Sequence, residues 1–261
     1  MMFGYQAFSF RFCQSWVWKR PAVMALTSIA AVGTAMKTQK VQCESFVEKL
    51  TNLADEYNLT KDDSRKGMFL LGSGPRYVSF LGIYVYDVEL YVRKQDFRTI
   101  QKVLNEHVDP NMGVEMSLKE AQLGSRIIGE LLKQKIQYSV RILPARNTNF
   151  KHLKGGFTKA MVLRQNRDDE REERMIQSFQ NTFPGTGTCL RSTNLSITLT
   201  DKQKLLFEHE DREIGSMQDE NLKLSNLFLQ TYLVGNKVNS EQARQSVCMN
   251  LRRIMDGSMS V

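Results

Sequence analysis

Gly72-Ser-Gly-Pro-Arg76 runs directly into Tyr77-Val-Ser-Phe-Leu-Gly-Ile-Tyr-Val-Tyr-Asp-Val-Glu-Leu-Tyr-Val92. Glycine and proline together predict a sharp turn, and the β-branched and aromatic run that follows predicts a long strand. On that reading Arg76 sits on the turn and aims one cation along a sheet face. Tyr84 and Tyr86 are two residues apart on the strand and so share a face. Leu81 has the opposite parity and joins them only across a bulge. A guanidinium beside a phenol on an apolar sheet face is a receptor for a carboxylate or an enolate, because charge-assisted hydrogen bonds strengthen where water is excluded.

Working outward, residues 68–71 and 78–92 read as strands on either side of the turn. Apolar positions at Phe46, Val47, Leu50, Leu53 and Ala54 predict a helix over 42–57. Ile127, Ile128, Leu131 and Leu132 predict one helix between 109 and 138, with Ser117 and Glu120 as its capping box. Residues 138–144 form a strand stopped by Pro144. Residues 149–181 read as two helices, the second opening at the acidic run 168–173, which is also a solvated face. Residues 194–200, 204–209 and 213–215 look like successive antiparallel strands. Helices over 219–234 and 240–255 close the chain, the second capped by Ser240. Strands clustered around helical runs, without a regular βαβ alternation, predict an α+β fold with one antiparallel sheet and helices on one face.

A chain of 261 residues with 41% apolar content buries one substantial core. We expect one domain over 41–261 behind a targeting segment, 1–40. The formal charge of +8 is spread along the chain, with no basic block or aromatic-interleaved motif, which argues against a nucleic-acid partner. Residues 1–43 contain no Asp or Glu and carry Arg11, Lys19, Arg20, Lys37 and Lys40, the pattern that mitochondrial import reads. Residues 21–36 carry no charge, and Val17 and Trp18 lengthen the apolar stretch, so about 17–36 is a candidate single inner-membrane anchor or the tail of a presequence. The positive-inside tendency then puts the domain in the intermembrane space.

The four cysteines, Cys13, Cys43, Cys189 and Cys248, show no CxxC spacing, and His107, His152 and His209 lack ligand spacing to one another or to a cysteine. GxSxG and Walker patterns are absent, and no helix follows Gly72-Ser-Gly-Pro75 to complete a dinucleotide loop. The sequence therefore offers no standard catalytic machine, and no catalytic residue is assigned.

Taken in order, GSGPR with FLGIYVYDVELYV, SVRILPARNTNFKHLKGGFTKAM (139–161), SFQNTFPGTGT (178–188) and REIGSMQDENLKLSNLFLQTYLVGNKVNSEQARQSV (212–247) resemble the chalcone isomerase-like family. The run from Arg146 to Phe157 looks most like its mitochondrial branch, the altered inheritance of mitochondria proteins. The resemblance implies an open-faced β-sandwich whose ligand lies between the sheet and a helical layer. In true chalcone isomerases an arginine matching Arg76 stabilises the cyclising enolate, and a threonine, a tyrosine and an asparagine order a water beside it. Here Leu81, Phe150 and Phe157 fall at those three polar positions. Loss of a hydroxyl, a phenol and an amide removes the water-ordering network.

The expected function is capture of a hydrophobic acid, a fatty acid or a haem, through Arg76 with Tyr86 as helper and Tyr84, Leu81, Phe150 and Phe157 around it. Relatives in the wider family bind fatty acids with such an Arg/Tyr pair, and the mitochondrial branch is associated with haem. His152 is the candidate haem ligand, with His209 second. Two alternatives stand beside this: a lyase or isomerase acting on another enolisable substrate, and a ligand-free interaction scaffold.

Overall fold

The computed structural model describes residues 67–78, 82–191 and 193–259. The expected targeting segment 1–40, the candidate span 17–36, the expected helix over 42–57 and Leu81 lie outside them. Strands β1 (Met68–Val78) and β2 (Ile83–Arg93) form an antiparallel hairpin at one edge of a six-stranded sheet. After β2 come three helices: α1 (Phe97–His107), α2 (Gly113–Lys119) and α3 (Ala121–Lys133). Strand β3 (Tyr138–Pro144) then returns to the sheet, and β4 (Thr148–Asn149) leads into α4 (Phe150–Val162) and α5 (Glu170–Thr182). Strand β5 (Thr188–Cys189) pairs with β4. Strands β6 (Leu195–Leu199), β7 (Lys204–His209) and β8 (Arg212–Gln218) finish the sheet, and α6 (Lys223–Leu233) and α7 (Glu241–Met255) end the fold. The order β1-β2-β3-β6-β7-β8 is antiparallel throughout. The architecture is the expected α+β sheet with a helical layer.

The two faces of the sheet differ in chemistry. Tyr86, Val88, Leu90 and Val92 point inward from β2, and Val140, Ile142, Ile197 and Phe207 extend that apolar surface across β3, β6 and β7. Residues of the other parity carry polar ladders, with Glu89 opposite Arg141 and Ser139 Oγ 2.8 Å from Thr198 Oγ1. One face is thus greasy and roofed by helices, and the other is polar.

The decisive stretch folds differently from the expected turn. Gly72-Ser-Gly-Pro-Arg76 lies inside β1, and the hairpin reverses beyond Val78, where Gly82 has φ +63°. The glycines are there because α7 presses directly on the strand. A Cβ on Gly72 would stand 2.5 Å from Val247 N, and one on Gly74 would stand 2.4 Å from Ala243 N. Pro75, which cannot donate to a ladder, is tolerated because β1 is an edge strand. Ser240 Oγ, the cap of α7, also donates to Pro75 O at 2.7 Å, and Asn250 Nδ2 donates to the Leu71 carbonyl, at the register shift between Leu70 and Gly72, at 2.9 Å. Helix α7 is therefore clamped along the strand that carries Arg76.

Further corrections concern helices. The single helix expected between 109 and 138 is two, broken at Glu120, whose carboxylate caps α3 by accepting from Gln122 N at 3.1 Å and Leu123 N at 2.5 Å. Ser117, the expected cap, is buried in α2, and its Oγ accepts from Asp109 N. Helix α1, which buries Phe97, Ile100, Val103 and Leu104, has no counterpart in the sequence reading. Helix α6 starts later than expected, after a 3-10 turn (Glu220–Leu222) in which Asn221 and Leu222 have φ of 56° and 59°.

Candidate functional site

Strand β1 delivers Arg76 opposite Tyr86 of β2, and the pairing is direct: Arg76 Nη1 donates to Tyr86 Oη at 2.7 Å, with the guanidinium carbon 5.4 Å from the ring centroid. Tyr86 is only 3% exposed, because its position begins the inward-facing series of β2. Its hydroxyl lies 3.2 Å from that of Tyr232, on α6. One cation and two phenols thus form a chain from the sheet edge to the helical layer. Arg76 itself is half-buried. Burial by itself would lower its pKa, but the contacts with Tyr86 and Tyr232 outweigh that and hold it above the ordinary arginine value. Burial, then the neighbouring Tyr86, pushes the Tyr232 hydroxyl well above the usual phenol range, with Arg76 pulling the other way. Tyr232 therefore stays protonated and serves as a hydrogen-bonding group rather than a base.

Tyr84 does not share the site. A register shift between Arg76 and Tyr77 leaves Val85 without a partner on β1, and past it the strand's alternation is lost. Tyr84 is 40% exposed, its hydroxyl donates to Asp87 Oδ2 at 2.5 Å, and its ring lies 5.8 Å from that of Tyr77. The equal-parity argument fails because the bulge falls between the two tyrosines.

Phe150 and Phe157 are buried among other aromatic rings. Phe157 packs edge-on against Phe183 and Phe228, and Phe228 packs on Tyr232, so Phe157 backs the site at one remove. Phe150 begins α4 and stands edge-on to His209, whose Nε2 is 3.1 Å from Thr193 Oγ1. His152 is exposed on the first turn of α4, where its backbone N–H donates to Asn149 Oδ1 at 2.7 Å. The structure brings neither histidine to the Arg76 cluster.

Behind the phenols the inner face continues through Val88 to Leu90 and Val92. There a hollow of about 40 Å3 lies between the sheet and the helices, lined by apolar side chains including Leu71, Ile100, Leu229 and Leu251. Tyr138 closes one side of it, its hydroxyl buried without a hydrogen-bond partner. The polar cluster at the sheet edge and this small apolar hollow lie on the same inner face, and the hollow's lining includes none of Arg76, Tyr86 and Tyr232.

Two residues of this neighbourhood escaped the sequence reading: Tyr232 and Asn239. Tyr232 carries the one usable signal, a phenol on a helix whose apolar residues bury it, where its hydroxyl must find a polar partner. Nothing local marks Asn239, which comes beside the Tyr232 hydroxyl through the turn after α6.

A family model described as chalcone isomerase like matches residues 66–248. Among similar proteins, one of Schizosaccharomyces pombe without an assigned function is 44% identical over 258 residues, covering 99% of each chain. Altered inheritance of mitochondria protein 18 of Debaryomyces hansenii is 29% identical over 205 residues, 74% of this chain and 67% of that one. Among solved structures, a fatty-acid binding protein of Arabidopsis thaliana superposes with a TM-score of 0.54 at 19% identity, covering 73% of this chain and 91% of its own. At that identity the superposition speaks to fold alone.

Proposed function

We propose that this protein, which belongs to the chalcone isomerase-like family, is a binding protein for a hydrophobic acid rather than an isomerase. The observation that carries the reading is Arg76: half-buried, bonded to a buried phenol, with no carboxylate partner among the described residues and an apolar interior behind it. A guanidinium in that position is costly unless an anion completes it. The carboxylate of a fatty acid would accept from Arg76, and its chain would run along Val88, Leu90 and Val92. The fatty-acid binding protein of the same fold supports this class of ligand. A hollow of 40 Å3 has to widen to admit an acyl chain, so binding draws on an opened state of the helical layer.

Phe150 and Phe157 stand where a chalcone isomerase would hold polar groups, and the protonated Tyr232 offers no base. A haem gains no axial ligand at the cluster, since His152 is exposed and His209 is engaged by Thr193. A Soret band in the purified chain would contradict that. The names of several relatives and the basic, acid-poor start of the chain support residence in mitochondria. Among the described residues no helix is long and apolar enough to cross a membrane. Anchoring at the inner membrane, with the domain in the intermembrane space, therefore rests on residues 17–36, and alkaline carbonate extraction of mitochondria tests it: release into the soluble fraction would rule it out.

The binding reading is tested by calorimetric titration of dodecanoate into the full chain and into Arg76→Gln. Saturable binding that falls at least about tenfold in the variant, the loss expected for one charge-assisted pair, supports it. Equal affinity in both proteins would overturn it.

A further inference from the structure

The hairpin of β1 and β2 runs on past the elements that cover it. Strand β3 pairs with β2 only as far as Tyr86, and one further bond, Ala145 N to Val85 O at 3.0 Å, ends the contact. Helix α7, which lies against β1, starts at Glu241, and its cap, Ser240, is tied to Pro75. The next two rungs, Tyr77 with Tyr84 and Val78 with Ile83, therefore project beyond both β3 and α7. All four side chains are aliphatic or aromatic, and all are exposed, from 37% at Val78 to 54% at Tyr77. Successive rungs face opposite ways, so the projecting end is greasy on both faces.

Cations stand around the base of this projection. Arg76 immediately precedes Tyr77, and Arg146 follows Ala145 in the loop that leaves β3. Arg191 is tied to that same loop, its backbone N–H donating to Asn147 Oδ1 at 2.8 Å, and the neighbouring Leu190 adds a further exposed apolar side chain. Burial and then Asp87 raise the pKa of the Tyr84 hydroxyl, and the Arg191 charge pulls it back down. Arg146 and Arg191 are exposed and have no carboxylate partner among the described residues. Of the acids at this end, Asp87 accepts from Tyr84 and Glu241 pairs with Arg244, while Glu210 and Asp211 stand away from β2, on the turn between β7 and β8.

A narrow projection that is apolar on both faces is covered by no single flat protein surface. A lipid interface closes round it from every side, with tyrosine at head-group depth and arginine against anionic head groups. We propose that the two projecting rungs, Tyr77 with Tyr84 and Val78 with Ile83, dock the domain on an anionic lipid surface, with Arg146 and Arg191 on the head groups. Docking sets Arg76, one residue from the inserted rung, at the level of the head groups, so that the candidate site opens toward the bilayer. It needs no ligand at Arg76 and so stands or falls apart from the binding reading.

Residues 17–36 are themselves apolar, so sedimentation with vesicles does not decide the matter, and the test reads the hairpin directly. The full chain is prepared with Ile83→Trp, Trp16→Phe and Trp18→Phe, which leaves a single indole, on the hairpin. Its emission is followed on adding vesicles of phosphatidylcholine and phosphatidylglycerol at about three to one, or of phosphatidylcholine alone. The anionic vesicles are expected to shift the emission to the blue and, when their acyl chains are brominated, to quench it; the neutral vesicles should do so far less. The equilibrium constant for docking, read from the quenched fraction, should fall about fivefold for each of Arg146→Gln and Arg191→Gln, and fall again as salt is raised. Emission that anionic vesicles leave unmoved would overturn the proposal even if the protein sediments with them. An equal, salt-independent response to both kinds of vesicle would overturn it too. Emission that follows protein concentration and ignores lipid would do the same, by assigning the hairpin end to a second copy of the chain.

Discussion

At the scale of single residues the site is a relay of three groups in which each depends on the next. Arg76 leans on Tyr86, and Tyr86 meets Tyr232. Tyr86→Phe keeps the ring and its packing but deprives two partners of a hydroxyl. A loss of about 1–2 kcal/mol in denaturant unfolding is expected, with weaker capture of dodecanoate as well. An unchanged midpoint with unchanged affinity would mean that the relay is incidental. Tyr84→Phe should leave ligand affinity untouched, because its hydroxyl serves Asp87 on an exposed part of the hairpin; a loss comparable with that of Tyr86→Phe would return Tyr84 to the site.

At the scale of elements the contact between β1 and α7 fixes where the cation stands. The two glycines act by close approach rather than by an unusual backbone angle, so adding one methyl is informative. Gly74→Ala drives a Cβ into the α7 backbone at 2.4 Å and is expected to cost about 2 kcal/mol or more, displacing the strand that presents Arg76. Wild-type stability in that variant would show that the helix yields freely. The start of α6 depends on Asp219, whose buried carboxylate accepts from Leu224 N at 2.9 Å and Ser225 N at 2.7 Å. Burial raises its pKa against the opposing pull of Ser225 and those N–H groups. The folded state therefore binds this proton more tightly than the unfolded state. Its contribution to stability is fully present below the unfolded pKa, about 3.9, and is lost as pH rises through the raised folded value. Asp219→Asn mimics the neutral form, so its stability relative to wild type should climb with pH across that window; a flat difference would contradict the assignment.

The sheet and most helices were legible because their signals are local. Residues 138–144 and 204–209 match β3 and β7 to the residue, since proline and period-2 patterning bound them. What was not legible depends on segments distant in the chain. The glycines of the opening stretch suggest a turn until α7, some 170 positions on, is seen pressing against them. Tyr84 and Tyr86 share a face by parity, and a bulge undoes it. Arg76 stood out because it precedes strand-forming tyrosines, whereas Tyr232 and Asn239 come beside Tyr86 only through the packing of α6 and the loop after it.

At the scale of the whole molecule the described residues form a sheet with one greasy face, a helical roof and a cationic side chain at the edge. A ligand that binds only the folded state raises its stability by mass action, about 2.7 kcal/mol at a hundredfold excess over Kd. Thermal unfolding of the full chain should therefore shift upward with dodecanoate, and the shift should vanish in Arg76→Gln. An equal shift in both proteins would place the ligand elsewhere. The most direct measurement of the central claim is organic extraction of the full-length protein purified from its own cells, followed by mass spectrometry of what is released. The account predicts an apolar molecule with an acidic head group at close to one equivalent, depleted in Arg76→Gln material of equal thermal stability. A wild-type protein that yields no such molecule, or a variant that yields the same amount, would contradict it.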